Sequence, residues 1–244
     1  MNQQTLDKMK KMKLYGMYRN FSQVLDNTDA TALSADELLS QLIEAEWDDR
    51  NNRAVDRSLR NARFRYKSSI DMIDFAPHRQ LDKNQLHRLA EGTFIRQHQS
   101  LIITGSTGTG KSFLASAIGN QACTMGFKVL YANTTRLLSQ LKMGKADGSA
   151  LKELNRLEKQ DLLILDDFGI QPFDAQSRML LMDIIEDRHG KRSTLIAGQI
   201  PIPAWYEIIG DQTIADAILD RIVNDAHYIE LKGDSLRKKR KTEQ

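Results

Sequence analysis

The sequence predicts an α/β fold, with a parallel sheet flanked by helices over residues 71–244 and a small all-α domain over residues 1–70. Three observations predict it. After Pro77, short and wholly apolar runs alternate with helical stretches, the pattern of parallel strands buried on both faces. Between the first of these runs and the next helix lies Gly105–Ser112, a loop of the form G-x-x-x-x-G-K-[ST]. Upstream, to about Asp74, the chain is polar and contains no strand-like run.

Taken in order, the first clear element starts at Ser34. Glu37 follows it in the spacing of a capping box, ahead of Leu38, Leu39, Leu42 and Ile43 at helical spacing. A second helical segment is expected from Asp48 to Lys67. At helical pitch Arg50, Arg53, Arg57, Arg60, Arg63 and Lys67 share about 140° of arc, while Val55, Leu59, Ala62 and Tyr66 share about 60° on the opposite side. Strands are expected at Leu101–Thr104, Lys128–Ala132, Leu162–Leu165, Thr194–Ala197 and Tyr228–Leu231. Helices fall between them at roughly 112–125, 135–143, 150–159 and 174–189, with Gly144, Asp147 and Gly148 breaking the middle pair.

Composition is that of an ordinary globular chain, 41% hydrophobic and 27% charged over 244 residues. Cys123 is the single cysteine, which excludes an intramolecular disulfide and a cysteine-based zinc site. His78, His87, His98, His189 and His227 show no metal-ligand spacing. Met1–Asn20 carries five Lys or Arg but no apolar core of a signal peptide, and no run approaches the ~18 apolar residues that span a bilayer. A cytoplasmic protein with no membrane association is expected. Net charge is +3, so the distribution of charge says more than its sum.

The loop Gly105, Ser106, Thr107, Gly108, Thr109, Gly110, Lys111 and Ser112 is a candidate cradle for ATP phosphates. Its glycines let backbone N–H groups face the phosphates, Lys111 brings an ammonium to the β and γ oxygens, and Ser112 offers a hydroxyl to Mg2+. Asp161–Asp167 reads as four apolar residues followed by two carboxylates at the carboxyl end of a strand, the edge where open α/β sheets bind ligands. Asp166 is the candidate magnesium carboxylate, acting through water. Asp167 is then placed to orient the attacking water. Gln199, ending the next apolar run, could hold that water or sense the γ-phosphate. Arg221 lies in a helical segment where an (i, i+4) pair with Asp225 is the plain reading.

The whole series resembles one family, the IstB-type ATPases, which are AAA+ helpers of transposases close to the DnaC helicase loaders. It runs through Leu-Tyr-Gly-Met at 14–17, the arginine-rich segment Trp47–Lys67, the phosphate loop, Ala-Asp-Gly-Ser at 146–149 and Leu-Ile-Leu-Asp-Asp-Phe-Gly at 163–169. It continues with Gln-Ile-Pro at 199–201, Asp-Ala-Ile-Leu-Asp-Arg-Ile-Val at 216–223 and Glu-Leu-Lys-Gly-Asp-Ser-Leu-Arg at 230–237. The resemblance implies an ATPase that assembles with ATP as a homo-oligomer on double-stranded DNA and assists a transposase. It places Gln199 at sensor 1, Arg221 at an arginine finger reaching a neighbouring subunit, and Arg237 at sensor 2. The helix pair between about 135 and 160 resembles the insertion of the initiator and loader branch, which lines a nucleic-acid path. Arg50, Arg53, Arg57, Arg60, Arg63 and Lys67 become candidate DNA contacts, with little sequence preference because nothing resembles a reading head.

Asp-Asp replaces the Asp-Glu of most AAA+ proteins, which implies slow hydrolysis, and the chain's end soon after Arg237 implies a missing or vestigial helical lid. A DnaC-like helicase loader shares all but the client. A small-molecule P-loop kinase would pass phosphate to a metabolite and need no finger. A DNA-binding protein that holds ATP without turnover would show no ATPase activity.

Overall fold

The computed structural model describes residues 2–26 and 33–236. Contacts divide the chain into two compact units, Met1–Arg57 and Ser58–Gln244.

The first unit is helical: α1 (Asn2–Lys11), α2 (Tyr15–Asp26) and most of α3 (Ala35–Ala62). The capping box at the start of α3 forms as expected. Ser34 N–H donates to Glu37 Oε2 at 2.8 Å and Glu37 N–H to Ser34 Oγ at 3.3 Å. Leu-Tyr-Gly-Met marks the crossing of α2 and α3. A Cβ on Gly16 would overlap the Ala45 carbonyl and Glu46 Cα, so only glycine fits there. Glu46, 5% exposed, then takes the first-turn N–H groups of α2, from Gly16 at 2.8 Å and Met17 at 3.3 Å. Burial works to raise the Glu46 pKa, but Arg50 and those two N–H groups outweigh it and hold the carboxyl below its usual range.

In place of two helical segments there is one 28-residue helix, α3, and it stops at Ala62 rather than Lys67. Arg63 has φ 58°, a left-handed backbone, and the chain beyond it is not helical. Aromatic packing decides this end. Phe64 meets Tyr131 edge-on at 6.4 Å and Tyr66 meets Phe113 at 6.0 Å, while Ser68 Oγ donates to Phe113 O at 3.1 Å. Tyr66 therefore does not belong to an apolar helix face, and Arg63 and Lys67 lie off the helix.

The second unit continues through a 3-10 turn at Ile70–Met72, another at Pro77–Arg79, α4 (Lys83–Ala90) and α5 (Thr93–Arg96). There follow β1 (Leu101–Gly105), α6 (Lys111–Thr124), β2 (Val129–Asn133), α7 (Thr134–Asp147) and α8 (Ser149–Glu158). The remainder is β3 (Leu162–Phe168), α9 (Ala175–Arg188), β4 (Ser193–Gly198), α10 (Trp205–Ile209), α11 (Gln212–Val223) and β5 (His227–Leu231). All pairs are parallel, in the order β2-β3-β4-β1-β5. β1 to β4 each feed two cores, and β5 feeds one: Ile102 enters the core closed by α7, α8, α9, α10 and α11, while Leu101, Ile103, Ile229 and Leu231 enter the one closed by α4, α5 and α6. The α/β expectation holds, and the helix break is sharper than expected, at Gly148 alone, whose φ of 78° ends α7 and starts α8. α9 and α11 are capped by Asp174 and Asp211, which accept from Ser177 N–H and Ile214 N–H.

Candidate nucleotide site

The phosphate loop leaves β1 and enters α6, and its shape depends on Gly108. There φ is 86°, and a Cβ would overlap Ser235 Oγ. Leu236 N–H donates to Gly108 O at 3.0 Å, so the segment after β5 leans on the loop. Arg79, 6% exposed, donates a short hydrogen bond to Thr109 O, and Asp74 stands 4.0 Å from its guanidinium. Burial pushes the Arg79 pKa down, with Asp74 opposing. Lys111 Nζ donates to Gly105 O at 2.7 Å and Ser106 O at 2.8 Å. The N-terminus of α6 faces the same space, and a helix dipole favours anions there.

The two acids owe their placement to a bulge. Between Leu165 and Phe168, β3 spends one more residue than β4 does between Ile196 and Gly198. A regular pleat would send Asp166 and Asp167 to opposite faces. The bulge, with Asp167 at φ 56°, brings a carboxylate oxygen of each near one Arg65 nitrogen, at 3.6 and 3.0 Å. Asp166 is 2% exposed and accepts a short hydrogen bond from Tyr131 OH, and Asn133 Nδ2 donates to Asp167 Oδ2 at 2.8 Å. Burial first, then the bond to Asp166, pushes the Tyr131 pKa well above its usual value. Gln199, just beyond β4, accepts from Thr107 Oγ1 at 2.6 Å.

A cavity of about 440 Å3 is lined by Asp74, Arg79, Thr107, Gly108, Gly110, Lys111, Ser112, Asp167 and Gln199, while Asp166 is not among its lining residues. The same lining carries apolar Tyr66, Ile73, Leu81, Leu231 and Leu236, surfaces suited to a flat heteroaromatic base. Ser112 and Asp166 supply hard oxygen donors, and no cluster of three or more His, Cys, Asp or Glu exists among the described residues. Such a donor set fits magnesium, which keeps much of its shell as water and phosphate oxygen.

Arg221 is not among the residues lining this cavity. It sits on α11, ion-paired to Glu186 of α9, with Nη1 donating to Ala217 O at 2.9 Å; its partner is thus Glu186 rather than Asp225. Arg237 lies outside the described residues. Of the six basic candidates, Arg50 pairs with Glu46 and Arg53 with Asp49, which also takes Arg19. No ion pair forms at Arg57, Arg60, Arg63 or Lys67 among the described residues. Sequence reasoning missed Arg65, Tyr131, Asn133 and Arg79. Asn133 carried a signal, since it ends β2 where Asp166 and Gln199 close their own strands; the others carried none.

The family of IstB-like ATP binding proteins matches residues 7–244. This chain belongs to that family. A relative from Sinorhizobium fredii, named as an insertion-sequence ATP-binding protein, is 43% identical over 234 residues and covers 96% of each chain. One from Pseudomonas aeruginosa, named for insertion sequence IS21, is 27% identical over 96% of this chain and 88% of its own. Among solved structures, the DnaI structure superposes with a TM-score of 0.58 at 22% identity, over 69% of this chain and 90% of that one. AMPPCP-bound DnaA from Aquifex aeolicus gives 0.58 at 20%, over 72% and 54%. The crystal structure of the DnaC helicase loader gives 0.52 at 20%, over 61% and 87%. These likenesses place this IstB-family chain in the AAA+ fold. No helix among its described residues is long and apolar enough to cross a membrane.

Proposed function

We propose that this IstB-family protein is a magnesium-dependent ATPase that assembles with ATP on double-stranded DNA and assists the transposase of an insertion sequence. One observation carries the ATPase reading. Lys111, Ser112, Asp167 and Gln199 line a single cavity together with apolar residues such as Tyr66 and Leu236. Ser112 and Asp166 would hold the cation, which neutralises charge on the β and γ oxygens when bound. Lys111 would leave its loop carbonyls for the phosphates. Asp167, gripped by Asn133, would accept a hydrogen bond from the attacking water, and Gln199 would report the γ-phosphate to the loop through Thr107.

The names of the relatives support an insertion sequence as the setting, so a transposase is favoured over a helicase as client. Arg57, Arg60, Arg63 and Lys67 support backbone contact with DNA, since Lys and Arg contribute affinity by releasing counterions. Phosphate release, measured with and without duplex DNA, tests the reading. We expect magnesium-dependent turnover that DNA accelerates; bound ATP without turnover under every condition would leave only a nucleotide-gated DNA-binding protein.

A further inference from the structure

Arg65 belongs to no nucleotide motif, yet its guanidinium stands against both acids of the β3 edge. Nη1 lies 3.0 Å from Asp167 Oδ2 and 3.6 Å from Asp166 Oδ2. Consecutive carboxylates brought to one side by a bulge repel each other, and Asp166 is almost fully buried, where an uncompensated charge is unfavourable. A positive group is needed there, and Arg65 supplies it. Asp166 is also the carboxylate proposed above to hold the cation, and Asp167 stands beside it under the same guanidinium. A guanidinium offers only donors and positive charge, so it competes with a divalent ion for the same oxygens. Arg65 has room to withdraw. Its side chain is 42% exposed and lines a second cleft, of about 410 Å3, with Asn133, Arg136, Glu153 and Arg156. Asp167 borders both this cleft and the nucleotide cavity.

We propose that Arg65 is the resting counter-ion of the Asp166–Asp167 pair, displaced when magnesium arrives with the nucleotide. The inference rests on the nucleotide-binding reading above. In the resting site Arg65 limits repulsion between the acids and the approaching phosphates. In the loaded site it stands aside, because the metal has taken over that charge. The charge at the edge is thus handed from a side chain to a ligand.

The test uses the full chain and a fluorescent ATP analogue, titrated in chelator and at rising magnesium chloride. Arg65→Gln should bind the metal-free nucleotide more weakly than wild type and yet need less magnesium for half-maximal binding, by about two- to fivefold for a partly exposed pair. Arg65→Lys, which keeps the charge, should follow wild type in both. Opposite signs in the two titrations are what a merely structural residue would not give. An unchanged or raised magnesium requirement in Arg65→Gln overturns the inference while nucleotide binding stands. Absence of binding by wild type overturns the nucleotide reading itself. Wild-type chain gives a second readout that needs no variant. Dicarbonyl labelling of Arg65, followed by peptide mass, should rise with magnesium and a non-hydrolysable ATP analogue relative to the analogue in chelator; constant or reduced labelling overturns the proposal.

Discussion

Asp167 is held from two directions, by Asn133 at 2.8 Å from the end of β2 and by Arg65 at 3.0 Å from beyond α3. The Asn133 donor remains when Arg65 stands aside, and it keeps the carboxylate in the orientation that a water-orienting group requires. Asp167→Asn keeps the shape and removes the charge. Nucleotide affinity should change little while turnover falls by about 10²–10⁴-fold, the usual share of a positioned base. Lys111→Ala should instead lose nucleotide binding, and calorimetry beside phosphate release separates the two; equal loss of affinity in both variants would contradict the separate roles. Tyr131→Phe addresses stability. It strips the hydroxyl from Asp166, which is 2% exposed, and should cost about 1–3 kcal/mol. The denaturation midpoint should fall with an unchanged slope. An unaltered midpoint would mean that the Tyr131 hydroxyl leaves Asp166 no better satisfied than solvent does. The loop and both acids were legible in the sequence because each sits at a fixed offset from an apolar strand. Arg65 was not, because its partner lies 102 residues away and nothing local marks the pairing.

Among the elements, α3 shows where periodicity misleads. Tyr66 lies in phase with Val55, Leu59 and Ala62, so spacing alone carries the helix to Lys67. Ring packing of Phe64 and Tyr66 ends it at Ala62 instead. The strands were legible for the opposite reason. Burial on both faces leaves the middles of β1, β3 and β4 apolar, and β1 to β5 all fall within a few residues of their expected places, β5 through its alternating Ile229 and Leu231. The salt bridges of α3 refine the DNA prediction. With Arg50 and Arg53 drawn to Glu46 and Asp49, about four basic groups remain, and log affinity should fall against log salt with a slope of roughly −3 to −4 per subunit. Reversing Arg57 and Arg60 together to Glu should nearly abolish duplex binding in a fluorescence assay and leave nucleotide affinity intact. Normal DNA binding by that variant would assign this surface to a protein partner.

At the scale of the whole molecule, Arg221 poses the question of assembly. Within one chain it pairs with Glu186, and no part of it lines the nucleotide cavity. An exposed ion pair is worth about 0–1 kcal/mol. A finger that crosses to a neighbour is worth ~10³-fold or more in rate. Arg221→Ala should therefore abolish turnover and ATP-driven assembly while each chain still binds nucleotide. Mixing it with Lys111→Ala creates interfaces that join an intact loop to an intact finger, and turnover should partly return. A mixture that co-assembles and stays inactive, or an active Arg221→Ala, would leave Arg221 as a tie between α9 and α11.

The bulge in β3 also limits which acids evolution can place at residue 167. Its backbone there is left-handed, a region that Asp and Asn enter far more readily than Glu. Exchanging the second acid for the longer one found in most AAA+ proteins would strain the chain at that residue and push the carboxylate past Asn133. Removing the extra residue of β3 would relieve that strain, but a regular pleat would turn one of the two acids away from the site. The short acid and the bulge are therefore coupled in this chain, and a single substitution of Asp167 by Glu would disturb the backbone as well as the side chain.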